Sequence, residues 1–563
     1  MSEPDQNTIE PPLAELPIAV SEAGFYSGFS KHVTIPSKII VSLLIVWAIA
    51  FPLNAGKVLG IANTTLIQMF SGWYVWLVGG FLVLSIVLAA LPASGRLKLG
   101  REDDVPEFSR FSWFAMMFGA GLGIGMLTYS TGEPLAHLQN NPVIIAGNAA
   151  PLTESAVRSA YLYSFLHWGF SAWAIYALAG LSIGYVAYRR GLPLTIRSGL
   201  APLFGRHLTG LPGHLVDIVA VVATILGISV TLGLGVEQFV HGLHRIGLGD
   251  WLISEDQTAS TAAIVIALLV IVGASTLSAL SGVGRGIKWL SNLNLVLSLV
   301  LFTAFIIAGS ALVGIGIFGQ GLIDYLFALP ALSFGGASSD GSAIGDAIAQ
   351  WQLDWTVFYW AWWIAFAPFV GMFIARVSKG RTVREYVLGV VLAPALMCFV
   401  WLTLIGGTAV DLVLSGAGEG NIIGTVISDQ LFATIAALMS SPLAYIFSIL
   451  VVVLLLTYVI TSADSAILVV NTINSGGNDG DHGRRHIIFW GVAIALVVGS
   501  LLVVGGLGAI RTAMIIGALP FSLVSALLAL AVVKAIWRDT IRMRHGVDCT
   551  PLPADSLGED NPV

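Results

Sequence analysis

Apolar residues along this chain gather into long runs, near 38–56, 73–93, 110–132, 160–187, 215–240, 261–282, 289–318, 355–376, 386–408, 442–472, 486–507 and 513–536. Each is long enough to cross the ~30 Å hydrocarbon core of a bilayer as a helix. In lipid the backbone must satisfy its own hydrogen bonds, so helix is the element each run predicts. The pattern therefore predicts an all-α polytopic membrane protein with twelve transmembrane helices. Between the spans, the stretches 319–354 and 409–441 contain the helix-like pieces GSAIGDAIAQWQ and NIIGTVISDQLFATIAALM. Two readings are open for these, helices lying on the membrane surface or plain surface loop. LPLTIRSGLAPLFG, 192–205, carries Arg197 and is a candidate interfacial helix. The tails, 1–30 and 545–563, are polar and proline-containing, and disorder is expected of them.

Composition agrees with lipid as the solvent. The chain has 563 residues, 56% hydrophobic and 10% charged, and its mean hydropathy is +0.88; soluble domains carry about 25% charged residues. The first 36 residues lack the apolar core of a cleavable signal peptide. Placement of the 26 basic residues orients the chain. Twenty-two fall in alternate loops or tails on one side, and only Lys57, Arg158, Arg245 and Arg511 fall on the other. The positive-inside rule then puts both termini in the cytoplasm of a cell (inner) membrane protein. The cysteines, Cys398 and Cys549, suggest neither a disulfide framework nor a metal site. Of ten histidines only His167 is clearly inside a span. No serine elbow, dinucleotide fingerprint or phosphate loop is present, so an enzyme is not expected, and nothing points to nucleic acid.

Helix-weakening residues in two of the spans form a pair. The third has Gly119, Gly121, Gly123 and Gly125, and the eighth has Pro368 and Gly371. They lie five spans apart and so run in opposite directions. Interruptions in oppositely oriented halves are the mark of an inverted-repeat transporter with substrate near the midplane.

The richest candidate chemistry is WTVFYWAWWIAFAPF, 355–369. Trp362 and Trp363 lie about 11 Å past Trp355 along a helix, too deep for interface anchors. On the fourth span Trp168, Trp173 and Tyr176 fall at about 0°, 140° and 80° around a continuous helix, on one broad face. Such rings either pack against neighbours or join the eighth span in a box. A box suits trimethylammonium or dimethylsulfonium groups, whose charge is delocalised and which have no N–H. The glycine run FGAGLGIGML, 118–127, reads equally as small-residue packing or as an unwound stretch approaching substrate or ion. In TYVITSADSAI, 457–467, Thr461 and Ser462 offer hydroxyl oxygens to sodium or back-bond to their own helix, and Asp464 reads as structural. The basic loop 375–385 reads first as a topology determinant.

AGLGIGMLTYSTGEP, HWGFSAWAIYAL, SVTLGLGVEQ, WTVFYWAWWIAFAPFVGMFIARVSKGRTVRE and TSADS together resemble the betaine–carnitine–choline transporter family, over about residues 37–540. The resemblance implies inverted five-helix repeats shared with sodium–neurotransmitter symporters, two extra helices before them, and a homotrimer. On this frame the chain divides into a tail 1–36, two peripheral helices 37–100, a first repeat 108–318, a surface helix and loop 319–354, a second repeat 355–540 and a tail 541–563. The implied substrate box is Trp168, Trp173, Tyr176 and Trp363, with Trp362 beside it, Phe366 where the family has a third indole, and Gly121, Gly123 and Gly125 along the glycine run. Gly125 replaces the aspartate of choline-type members, which implies a zwitterion such as glycine betaine or dimethylsulfoniopropionate. The implied coupling ion is sodium, with no other cofactor, on Gly119, Leu122, Tyr458, Thr461 and Ser462. A second ion site would use Thr224 and Phe369, but Ile228 stands where it needs another threonine. Proton coupling and substrate exchange are the alternatives. The short tail, acidic at Asp555, Glu559 and Asp560, implies weak osmotic activation.

Overall fold

The computed structural model describes residues 12–121, 123–281, 288–478 and 483–550. Eleven of its helices are long and apolar enough to cross a membrane, against twelve predicted spans, and three places account for the difference. The third run is broken into α3 (Arg110–Gly121) and α4 (Ile124–Gln139), with Gly123 extended between them (φ −150°, ψ −156°). The run 289–318 is divided between α9 (Lys288–Ala308) and α10 (Ala311–Phe334). The turn at Gly309–Ser310 tucks against Thr408, whose Oγ1 accepts from Ser310 N at 3.1 Å. The last two runs are two helices joined end to end, together α17 (Arg484–Arg544), with non-helical backbone between them at Gly505 and at Gly506, whose φ of 61° favours glycine; taken as one segment they lower the count by one.

The other long helices are α1 (Lys31–Ala50), α2 (Pro52–Ala90), α5 (Glu154–Trp168) with α6 (Phe170–Arg190), α7 (Leu211–Arg245), α8 (Thr261–Ser281), α11 (Ala343–Gln352) with α12 (Phe358–Val377), α13 (Val383–Trp401) with α14 (Gly407–Leu414), and α16 (Ser441–Asn474) after the short α15 (Ile427–Leu438). Burial separates centre from rim. The most apolar stretch of α5–α6 is 94% buried and that of α11–α12 is 83%, whereas that of α10 is 17%. Arg158 clasps Asp324 of α10 with two hydrogen bonds, Nε–Oδ2 at 2.9 Å and Nη2–Oδ1 at 2.6 Å.

Several expectations are corrected. The eighth span is not interrupted at Pro368 or Gly371, since α12 runs through both. Gly371 instead permits a close helix crossing: a Cβ there would sit 3.0 Å from Ala179 Cβ and 3.1 Å from Gly180 N. The irregularity lies earlier, in a π-turn at Leu353–Val357. GSAIGDAIAQWQ supplies α11, which runs through this turn into the span instead of ending as a separate surface piece. The fourth span breaks at Gly169 (φ −92°, ψ −151°). A Cβ there would lie 2.3 Å from Phe165 O and 2.8 Å from Phe399 Cζ, and Tyr325 OH accepts from Phe170 N at 3.0 Å. Trp168 therefore belongs to a different helix from Trp173 and Tyr176. Arg197 is no interfacial cation; it is fully buried and donates from Nε to Asp217 Oδ2 at 2.6 Å. The N-terminal tail, expected to be disordered, is anchored at a few points between residues 12 and 30, while 1–11 and 551–563 of the two tails lie outside the described residues. Leu16 and Phe29 are buried, Phe29 stacks on His486 at 4.0 Å, and Ser30 N donates to Asn474 O at 2.8 Å.

Candidate functional site

The breaks at Gly123 and Gly169 and the depth of the α12 indoles bring one group of rings together. Trp362 and Trp363 stack, with centroids 4.8 Å apart and planes 12° from parallel. Trp168 meets Trp363 edge-on at 5.1 Å and Trp362 at 6.5 Å. Tyr176 joins Trp363 at 6.2 Å and Trp173 at 5.5 Å, while Phe366 continues the row 6.4 Å from Trp362. Gly125 lies between two indole tips: a Cβ there would be 3.0 Å from Trp168 Cη2 and 3.1 Å from Trp362 Cη2. An aspartate does not fit this arrangement of the rings.

These rings line a cavity of ≈ 780 Å³, which reaches exposed Glu107 and Arg376 at the end of α12. Gly123, Gly125, Trp168, Trp173, Tyr176, Trp362, Trp363, Phe366 and Phe369 lie on its wall, as do Tyr458, Thr461 and Ser462. Of the remaining expected site residues, Gly119 and Gly121 belong to the last turn of α3, and Leu122 lies outside the described residues. Thr224 does not line the cavity. It is buried on α7 and donates to Ala220 O at 2.8 Å; Thr231, two turns further on, is the α7 threonine on the wall.

Thr461 makes the back-bonds that one of its two readings expects. Its Oγ1 hydrogen-bonds to Thr457 O at 3.0 Å and Tyr458 O at 3.1 Å, yet it also accepts from Asn294 Nδ2 at 3.1 Å. Tyr458 OH meets Ser298 Oγ at 3.0 Å. Asn294 and Ser298 belong to α9, which adds Ser291, Asn292 and Asn294 to the cavity wall. Asp464 is structural, accepting from Ser278 Oγ at 2.6 Å.

A second constellation seals the other end of the box. Glu133, His137 and His167 are fully buried. Glu133 Oε1 accepts from His167 Nδ1 at 2.6 Å and faces His137 Nε2 at 3.2 Å. Its Oε2 accepts from Trp168 Nε1 at 2.6 Å and from Tyr359 OH. His167 Nε2 meets Thr356 Oγ1 at 3.0 Å, and His167 O accepts from Trp363 Nε1 at 2.9 Å. Glu133 thus orients one box indole directly, and His167 fixes another. The three side chains have donor atoms within 4.8 Å of one another, a spacing that could hold a metal. Both carboxylate oxygens are already taken by protein donors, and a hydrogen-bonded closure accounts for the group. Sequence reading did not assign Glu133, Tyr359 or His167 to the site. The available signal was an imidazole inside one apolar run, where ionisable groups are expensive, and a carboxylate directly after another.

Residues 32–541 match the family model described as BCCT, betaine/carnitine/choline family transporter. The chain belongs to the betaine/carnitine/choline transporter family. Among its relatives, the glycine betaine transporter OpuD of Bacillus subtilis is 34% identical over 513 residues, which are 90% of this chain and 95% of that protein. A probable glycine betaine transporter of Desulfitobacterium hafniense is 36% identical, over 89% of this chain and 97% of its own. The osmo-independent choline transporter BetT1 of Acinetobacter baylyi is 37% identical, over 84% and 87% respectively. As a betaine/carnitine/choline family member, the chain is a membrane transporter of quaternary ammonium solutes and not an enzyme.

Proposed function

We propose that this transporter imports a zwitterionic onium solute, glycine betaine or dimethylsulfoniopropionate, by sodium symport with alternating access, as a homotrimer with both termini in the cytoplasm. The observation that carries the reading is the ring group from α5, α6 and α12 beside Gly125. It offers faces to a methyl-shielded cation and leaves no room for the carboxylate a choline head would want. Thr461 and Ser462 on the cavity wall supply hydroxyl oxygens suited to sodium. Helix irregularities in the third and fourth spans (Gly123, Gly169) and in the eighth and ninth (Leu353–Val357, Leu402–Gly406) fall five spans apart, which supports inverted repeats. The cavity's reach toward the basic-residue side supports an inward-facing state.

The test is uptake of labelled glycine betaine into proteoliposomes at fixed, equal pH on both sides. An inward sodium gradient should drive accumulation, and replacing sodium by potassium should abolish it. The second reading, proton-coupled choline uptake, is favoured by the choline-transporting relative and by the buried Glu133–His167 pair. Accumulation driven by a proton gradient without sodium would overturn the sodium reading in its favour.

A further inference from the structure

A second hollow, of ≈ 750 Å³, lies away from the ring-lined cavity, between N-terminal residues 12–15, the turn around Ala201–His207 and the last turns of α17. Its wall carries Arg190, Arg206, His207, Lys534, Arg538 and Arg542, and Glu15 is the one acidic residue among the lining. Asp539, fully buried behind the wall, accounts for two of these cations: Arg190 Nη2 and Arg542 Nη1 donate to Oδ1 at 3.1 and 2.8 Å. Arg206, Lys534 and Arg538 have no carboxylate partner among the described residues. On a chain whose formal net charge is −6, the described residues thus leave a local excess of positive charge at this hollow.

The surroundings say what kind of anion fits. On α17, Leu530, Val533 and Trp537 are exposed at 59%, 37% and 69%. At 100° per residue they form a stripe directly beside Lys534 and Arg538. Phe204 and Leu211 are exposed on the neighbouring segment. In a membrane protein such a stripe is covered by acyl chains, and basic residues at its end meet headgroups. An anion that carries acyl chains uses the charges and the stripe together, whereas a soluble anion would use the charges alone.

We propose that this hollow binds the phosphodiester headgroup of an anionic phospholipid, held by Arg206, Lys534 and Arg538, with its acyl chains along Leu530, Val533 and Trp537. The site is independent of the onium box and of the coupling ion.

The test is native mass spectrometry of the full chain, extracted from bilayers of phosphatidylcholine with a minor fraction of phosphatidylglycerol. The wild-type protein should retain phosphatidylglycerol in preference to phosphatidylcholine. One juxtamembrane cation strengthens anionic-lipid binding by about fivefold. The variant Arg206→Gln/Lys534→Gln/Arg538→Gln should therefore lose roughly a hundredfold in retention, assuming independent contributions. A charge-matched control, Arg96→Gln/Lys379→Gln/Arg484→Gln, alters exposed cations elsewhere on the chain and should retain lipid as the wild type does. Equal retention by the hollow variant and the wild type overturns the proposal. So does displacement of the lipid by millimolar inorganic phosphate, which would assign the hollow to a small soluble anion. Should the triple variant fail to fold, Lys534→Gln alone should still show about a fivefold loss.

Discussion

The two ends of the aromatic box are built in opposite ways. On the Glu133 side, α4, α5 and α12 are joined by hydrogen bonds in which both carboxylate oxygens are used and water is excluded. On the Arg376 side the walls separate, and hydroxyls and amides of α9 and α16 face a cavity. Rings line both ends, so aromatic content does not distinguish closed from open. The difference is a buried carboxylate with several donors converging on it. Such a closure is strong when complete and costly when one member is missing, which is what a path that opens and shuts as a unit requires.

Removing the carboxylate should therefore have the largest effect. Glu133→Ala strands the His167, Trp168 and Tyr359 donors in an apolar interior. Breaking a buried charged network in this way costs about 3–5 kcal/mol. Thermal unfolding in detergent should fall by several degrees, and uptake should fall below a tenth of wild type. Glu133→Gln, which keeps one acceptor oxygen, should lose less of both. Glu133→Ala protein that unfolds and transports like the wild type would remove the distinction between the two ends.

Trp363 lies at the boundary, bonded toward the closed end through Nε1 and lining the cavity with its ring. A desolvated cation–π contact is worth about 2 kcal/mol. Trp363→Ala should raise the half-saturating betaine concentration by about thirtyfold, and Trp363→Phe, which keeps a ring, should raise it by less. Equal effects from the two variants would mean that the ring face does not carry recognition.

How much of this contrast was legible in the sequence differs between the two ends. The rings were legible because tryptophan deep in a span is conspicuous, as were Thr461 and Ser462 beside an intramembrane aspartate. The breaks were only half legible. Glycines at 119–125 marked the third-span break, but Gly169 is a single residue whose need is set by Phe165, Tyr325 and Phe399 from remote parts of the chain. Pro368 misled, because the helix absorbs it and the irregularity falls on Leu353–Val357, which has no breaking residue. The closed end was missed because Glu133, His167 and Tyr359 lie far apart in sequence. Only tertiary packing makes one carboxylate the acceptor for all of them.

The open end has its own test, of smaller effect. Thr461→Ala with Ser462→Ala deletes two neutral oxygens and leaves the rings in place. The half-saturating sodium concentration should rise about tenfold, equivalent to ~1.4 kcal/mol. Betaine affinity at saturating sodium should change little, and unfolding temperature less than for Glu133→Ala. A loss of betaine affinity that sodium does not restore would show that these hydroxyls belong to the substrate site.

The smallest change tests the seam where both ends meet. Gly125 sits where the tips of Trp168 and Trp362 converge, and an alanine methyl would lie 3.0 and 3.1 Å from them. The rings must yield by a few tenths of an ångström. Trp168 cannot do so freely, because Glu133 holds its Nε1, whereas Trp362 Nε1 is buried without a partner. The strain should therefore be relieved on the Trp362 side, opening its stack with Trp363. Overpacking costs about 1–3 kcal/mol; with one mobile ring the lower figure applies, and the half-saturating betaine concentration should rise about fivefold at ~1 kcal/mol. In Glu133→Gln protein the second ring is also loosened, so the same Gly125→Ala substitution should cost less. Uptake kinetics of the single and double variants measure that coupling, and strict additivity would mean that Glu133 does not brace the box.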